Sequence, residues 1–189
     1  LSKIIDQAGA LDILVNNAYN GKTADWKNVE AKDFRDAYEI GVIAGFSSIK
    51  DAEAALKAAA IAVGHASVIN IGSMYGSVSP DPQIYHDSNY DNPASYGAAK
   101  AALLQLTRYA ATNLAPHKIR VNCLSPGPFP PAELATSQPE FYADLVAKIP
   151  LQRIGEPHEL VGSVVFLASD AASYITGIEL PVDGGWRTW

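Results

Sequence analysis

Tyr96 and Lys100 stand four residues apart in the run Ser95-Tyr96-Gly97-Ala98-Ala99-Lys100. On a helix this spacing puts a phenol and an ammonium on one face. A free tyrosine ionises only near pH ~10. A neighbouring cation favours the phenolate, so Lys100 is expected to lower the Tyr96 pKa. Such a tyrosine can exchange a proton with a substrate hydroxyl or carbonyl as general acid and base. Ser73 follows the apolar run Val68-Ile69-Asn70-Ile71-Gly72 and can donate a hydrogen bond to the same oxygen. Taken alone the Tyr-x-x-x-Lys spacing is weak, because a half-buried Tyr beside a solvated Lys gives the same pattern. The elements that position these residues carry more weight.

Four short apolar runs end in small or polar residues. They are Ile13-Leu14-Val15 before Asn16-Asn17, Val68 to Ile71 before Gly72-Ser73, Ile119 to Leu124 before Ser125-Pro126-Gly127, and Ile175 to Leu180 before Asp183-Gly184-Gly185. Runs of this kind, closed by turn residues, read as buried strands. Between them lie helical patterns over Ala31–Ala60, with a break near Gly41 to Gly45, over Ser95–Leu114, stopped by Pro116, and over Pro157–Ser169. Alternating strands and helices predict an α/β fold, a doubly wound parallel sheet covered on both faces, built as a single domain over residues 1–189. Ligands in such sheets bind beyond the carboxyl ends of the strands, where the four polar run-ends gather.

Composition narrows the function. The 189 residues are 48% apolar and 18% charged, the makeup of a globular chain. No window holds 18 consecutive apolar residues, so no membrane span is read. The formal charge of −6 comes with scattered Lys and Arg; Lys118 and Arg120 form the one local group, beside an apolar run. A nucleic-acid partner is not expected from that pattern. Cys123 is the single cysteine and reads as a small core residue, compatible with a reducing compartment. His65, His86, His117 and His158 show no metal-ligand spacing, so no metal site is expected. The run Ile71-Gly72-Ser73-Met74-Tyr75 lacks the Gly-x-Ser-x-Gly elbow of a hydrolase.

The motifs in order resemble the short-chain dehydrogenases/reductases. They are Asn16-Asn17-Ala18, Ile71-Gly72-Ser73, Ser95-Tyr96 through Ala102, Ile119 to Gly127, Arg153-Ile154-Gly155-Glu156-Pro157, and Thr176-Gly177 with Val182-Asp183-Gly184-Gly185. The likeness covers essentially the whole chain. It implies a Rossmann-like fold and hydride transfer between NAD or NADP and an alcohol/carbonyl pair. It also implies site roles. Tyr96 would be the catalytic acid/base. Lys100 would tune it and hold the nicotinamide ribose. Ser73 would polarise the substrate oxygen. Asn16 and Ala18 would line the adenosine side, and Pro126, Gly127 and Phe129 the nicotinamide end. Tyr75 and His86 would join Ser73 and Tyr96 around the substrate. A cytoplasmic homodimer or homotetramer is the expected assembly, using the Ala31–Ala60 and Ser95–Leu114 helices.

The sequence departs from the family pattern in several places. No Gly-x-x-x-Gly-x-Gly loop occurs, so the sheet is expected to be incomplete, lacking the first glycine-rich β-α-β unit that cradles the pyrophosphate. The chain opens on Leu1 within what reads as the end of a helix, and an upstream segment is expected. Gly41 falls where the family often places an Asn that holds a relay water. Tyr19 replaces the Gly of the usual Asn-Asn-Ala-Gly, and could narrow the cofactor groove or pack over it. The stretch Pro80 to Pro93 is long and polar; it reads either as a solvated loop or as a wall for a hydroxyl-rich substrate such as a sugar, sugar acid or polyol. The family's frequent Thr beyond Gly127 is missing from Pro128-Phe129-Pro130-Pro131. A second reading therefore stays open: a non-catalytic fragment or subunit that cannot bind dinucleotide by itself.

Overall fold

A computed structural model describes residues 2–21, 24–85 and 92–188. The strands β1 (Ile13–Asn16), β2 (Ala66–Ile71), β3 (Ile119–Pro126) and β4 (Glu179–Val182) form one parallel sheet in the order β1-β2-β3-β4. Sequential strands run side by side because each pair is joined by a crossover long enough to return the chain to the sheet's starting end. In register, Asn16 faces Asn70, Asn70 faces Cys123, and Leu124 faces Leu180. The carboxyl ends of β1, β2 and β3 therefore open on the same side.

Helices cover both faces. On one, α3 (Ala44–Val63) and α5 (Ala94–Leu114) pack their apolar stripes on β2 and β3. Ile49, Ala52, Leu56, Ala111 and Leu114 meet Val68 and Val121 there in one buried cluster. The alanines let both helices lie close to the strands. On the other face, Leu167 of α8 (Glu159–Ala168) is buried with Ile69 and Leu124. β1 is a sheet edge, and its Ile13 and Val15 are 45% and 42% exposed. A short α1 (Ser2–Ala8) leads into it and packs on α3 through Ile5. Among the described residues no helix is long and apolar enough to cross a membrane.

Several boundaries differ from the expectations above. The expected break in the first long helix is a widened turn, Glu39–Ile43, between α2 (Ala31–Tyr38) and α3. Its hydrogen bonds reach one residue further than in an α-helix, so the axis continues across the glycine. The last strand begins at Glu179, not Ile175. Residues 175–178 are held on β3 by mixed backbone and side-chain bonds: the Gly177 amide donates to the Val121 carbonyl (2.8 Å) and the Cys123 amide to the Ile178 carbonyl (2.9 Å), Asn122 donates to the Ile175 carbonyl (3.0 Å) and accepts from the Ile178 amide (3.2 Å), and Thr176 Oγ1 accepts from the Val121 amide (3.1 Å). The helix expected from Pro157 starts at Glu159. Arg120, read with Lys118 as the one local group of cations, is 6% exposed.

Ile84 and Tyr85 of the polar Pro80–Pro93 stretch pack into the core. Pro82–Tyr85 forms a single helical turn, α4, and Ile84 is buried. It joins α6 (Leu134–Ser137) and α7 (Pro139–Lys148) in a second layer over the sheet ends. Met74, Tyr75, Ile84, Leu134, Phe141 and Trp186 share this cluster.

Candidate active site

β2 ends at Ile71, and the chain turns at Gly72 and Ser73 into a short helical turn, Met74–Gly76. Ser73 is extended (φ −166°) and caps that turn, its hydroxyl accepting from the Tyr75 amide at 3.2 Å. This turn lies directly on the first turns of α5. A methyl group on Gly97 would stand 2.9 Å from the Tyr75 carbonyl oxygen, and one on Gly76 3.0 Å from the Lys100 backbone. Two residues without side chains thus bring backbone against backbone, and Ser73 within hydrogen-bonding reach of Tyr96. Gly97→Ala is expected to spread the turn from the helix and lower kcat/KM about tenfold, since small misplacements of reacting groups are costly. Steady-state kinetics beside a thermal melt would separate this effect from lost stability; unchanged kcat/KM would show that the close approach is dispensable.

A buried polar chain holds the same elements in register. Ser48 on α3 donates to Asn16 Oδ1 (2.6 Å), Asn16 Nδ2 donates to Asn70 Oδ1 (2.8 Å), and Asn70 Nδ2 donates to Thr107 Oγ1 on α5 (2.9 Å). Asn70 is fully buried, so each of its two bonds replaces one to water and cannot be left unmade without cost. Asn70 and Thr107 escape a reading of the sequence alone, where they sit within an apolar strand and an Ala-rich helix. An amide in the middle of a buried run is the signal that could have found the first of them.

Lys100 is 5% exposed, and its ammonium donates to the Ile71 carbonyl at 2.7 Å. It lies 5.6 Å from the centre of the Tyr96 ring and 5.1 Å from that of Tyr19. The two rings meet edge to face, 5.1 Å apart. Burial holds the Lys100 pKa below the usual lysine range, with the Cys123 thiol acting weakly the other way. Burial pushes the Tyr96 phenol above the ordinary tyrosine range, and its hydrogen bond with Ser73 opposes the shift. The expected lowering of the Tyr96 pKa by Lys100 is therefore not found: loss of water around the phenol outweighs a cation that points to a backbone carbonyl.

The remaining residues of the expected site fall as follows. Asn16 spends both ends of its amide on Asn70 and Ser48, which makes it a pin between β1, β2 and α3. Ala18 is exposed beyond β1. Tyr19 packs inward, against Tyr96 and Lys100. Pro126 and Gly127 close β3, the Gly127 amide donating to Val182 on β4 (2.9 Å). Phe129 follows, beside Pro128, whose carbonyl accepts from the Gly155 amide (3.2 Å). A cleft of about 230 Å³ opens over these parts, with Ser73, Tyr75, Tyr96, Phe129 and Leu145 in its lining. The Tyr75 and Tyr85 hydroxyls are 2.5 Å apart there, and Asn92 Nδ2 donates to Tyr85 at 3.1 Å. His86 lies outside the described residues. Among the described residues no cluster of His, Cys, Asp and Glu could hold a metal ion.

Residues 1–187 match a family model described as enoyl-(acyl carrier protein) reductase. A galactitol 2-dehydrogenase (L-tagatose-forming) of Cereibacter sphaeroides is 35% identical over 182 residues, covering 95% of this chain and 66% of its own. The RhlG/NADP active-site complex of Pseudomonas aeruginosa superposes with a TM-score of 0.85 at 32% identity, over 98% of this chain and 70% of that one. A gluconate 5-dehydrogenase from Burkholderia cenocepacia, in complex with NADP and tartrate, gives 0.84 at 29% identity, over 99% and 69%. The chain thus spans about two thirds of the length of these proteins. On the family match and these likenesses, this chain belongs to the short-chain dehydrogenase/reductase family.

Proposed function

We propose that the protein containing this chain is an NAD(P)-dependent oxidoreductase that interconverts a secondary alcohol and a ketone. The observation that carries this is the placing of Ser73 and Tyr96 in the lining of one cleft, with the buried Lys100 ammonium 5.6 Å from the centre of the Tyr96 ring, in a chain of this family. A phenol whose pKa is raised is protonated at neutral pH, so Tyr96 is a proton donor to a carbonyl oxygen and an acceptor in the reverse direction. Ser73, bonded to Tyr96, directs that oxygen. A bound nicotinamide would supply or accept the hydride. The donor set fits its ribose end: Lys100 carries three ammonium protons and gives one to Ile71, which leaves two for hydroxyls. Pro126, Gly127 and Phe129 would flank the ring, and Ala18 the more distant part. A solved relative carrying NADP and others named as sugar-alcohol or gluconate dehydrogenases support the reading.

The substrate we propose is a small polyol or a related sugar derivative. The Tyr75–Tyr85–Asn92 chain offers hydroxyls to a second oxygen of such a molecule, while Phe129 and Leu145 cover its carbon face. Tyr75→Phe is expected to raise KM about tenfold with kcat nearly unchanged, the loss of one hydrogen bond made equally in ground and transition states. An unchanged KM would remove Tyr75 from the substrate contact. The test of the function itself is an initial-rate screen of the full-length gene product with NAD⁺ and NADP⁺ against polyols, sugars and sugar acids. Turnover of a polyol supports the proposal, and the absence of turnover with both cofactors across the panel would defeat it. Apolar side chains left exposed on the α2–α3 surface, Phe34, Tyr38 and Phe46, support self-association through that side.

A further inference from the structure

We infer that Tyr19 is a positioning residue for the proton-transfer group: its ring face holds the buried Lys100 ammonium charged and seated beside Tyr96. The inference rests on the reading of Ser73, Tyr96 and Lys100 given above.

Lys100 presents an electrostatic problem. Its ammonium is almost fully buried, which disfavours the charged form. Among the described residues, the groups around it offer little charge in return. Cys123, facing it from β3, has its thiol pushed up to about 11 by burial, with Glu179 on β4 adding to the rise. It is therefore neutral at neutral pH. Tyr96 on the same helix is held above its usual range by burial, and Tyr75 behind it is raised as well. Tyr19 is also raised, first by burial and then by its proximity to Tyr96. It cannot act as a counter-ion at neutral pH. What remains among the described residues is the Ile71 carbonyl and two aromatic faces, those of Tyr19 at 5.1 Å and Tyr96 at 5.6 Å. A ring at this distance attracts an ammonium through its quadrupole, most strongly where water is excluded.

The space for the Tyr19 ring is made by Gly41. Gly41 is buried in the widened turn Glu39–Ile43. A methyl group there would stand 3.6 Å from the Tyr19 ring and 3.6 Å from Ala99 on α5, in ordinary contact with both. A larger side chain would meet the ring. The two departures from the family pattern, a large residue at 19 and none at 41, are thus matched in size. A ring that fills this gap is braced from behind and presses on Lys100 and Tyr96 from the side.

The test separates the ring from the hydroxyl and from bulk. Lys100 is titrated in the cofactor-free, full-length gene product by NMR of its ε-carbon, with Lys100→Met identifying the signal. Tyr19→Phe keeps the ring and should leave the Lys100 pKa unchanged. Tyr19→Leu keeps apolar bulk and removes the ring; the pKa should fall by about one unit. Gly41→Leu displaces the ring with Tyr19 intact and should give the same fall, so it decides the matter where Tyr19→Leu does not fold. Lys100 loses its charge at lower pH once its pKa falls, so the alkaline limb of the kcat profile should move down equally. An unchanged or higher Lys100 pKa in the ring-removing variants, or an equal fall in Tyr19→Phe, would overturn the inference. Absence of dehydrogenase activity in the unmodified protein would count against the proposed function instead, and the NMR result would still decide the role of Tyr19.

Discussion

Replacing Tyr96 by Phe is expected to lower kcat about 10³-fold while cofactor affinity and thermal stability stay close to those of the unmodified protein. The magnitude follows from what is removed. The ring remains, with its edge contact to Tyr19 and its face toward Lys100. Only the phenol oxygen goes, and with it the proton that a carbonyl must receive as it becomes an alcohol. Ser73 cannot take over, because a serine hydroxyl is a far weaker acid than a phenol. Measured kcat with dinucleotide binding by calorimetry would check this. A variant within tenfold of normal turnover would exclude Tyr96 as the proton donor.

The largest expected loss of stability lies on the opposite side of the sheet, at Arg120. Its guanidinium donates to the carbonyls of Leu167 (2.8 Å), Ala168 (3.4 Å) and Ser169 (3.2 Å), where α8 ends. These carbonyls have no partner within the helix, and a cation at that end also suits the helix dipole. Arg120→Met keeps the length and removes three charge-assisted hydrogen bonds; the Leu167 carbonyl keeps its bond from the Ser67 hydroxyl (2.9 Å), while the carbonyls of Ala168 and Ser169 lose this donor. At about 1 kcal/mol each the loss is about 3 kcal/mol. For a domain of this size that corresponds to a fall of about 10 °C in Tm. Kinetics per folded molecule should change little, because Arg120 is remote from the cleft. A melting temperature within a degree or two of normal would show that water or neighbouring donors replace the guanidinium.

Arg120 also shows what could and could not be read in the chain. The strand around it was legible, since its β-branched residues alternate with turn signals at the end. The cation's role was not, because its acceptors lie 47 to 49 residues further on and are backbone atoms. The same holds for Ile175–Ile178, where β-branched residues suggest a strand but the Asn122 side chain of β3 takes the Ile175 carbonyl and the Ile178 amide. The pairing of Tyr96 with Lys100 was legible from a helical spacing, and Ser73 from the end of a strand. The direction of the Tyr96 pKa was not. It depends on how much water the second layer of helices removes and on where one ammonium points. Tyr19 stood out as a departure from a motif, yet only folding brings it beside Gly41, twenty-two residues away in sequence.

The central claim, hydride transfer at the carbon whose oxygen Ser73 and Tyr96 hold, is tested most directly by isotope transfer. The full-length gene product would be incubated with NAD⁺ or NADP⁺ and polyols deuterated at the carbinol carbon, and the reduced nicotinamide examined by mass spectrometry. One deuterium is expected on the nicotinamide ring for the unmodified protein, and almost none in the same time for Tyr96→Phe. Ketone formed without deuterium on the nicotinamide, or equal transfer by the Tyr96→Phe variant, would contradict the claim.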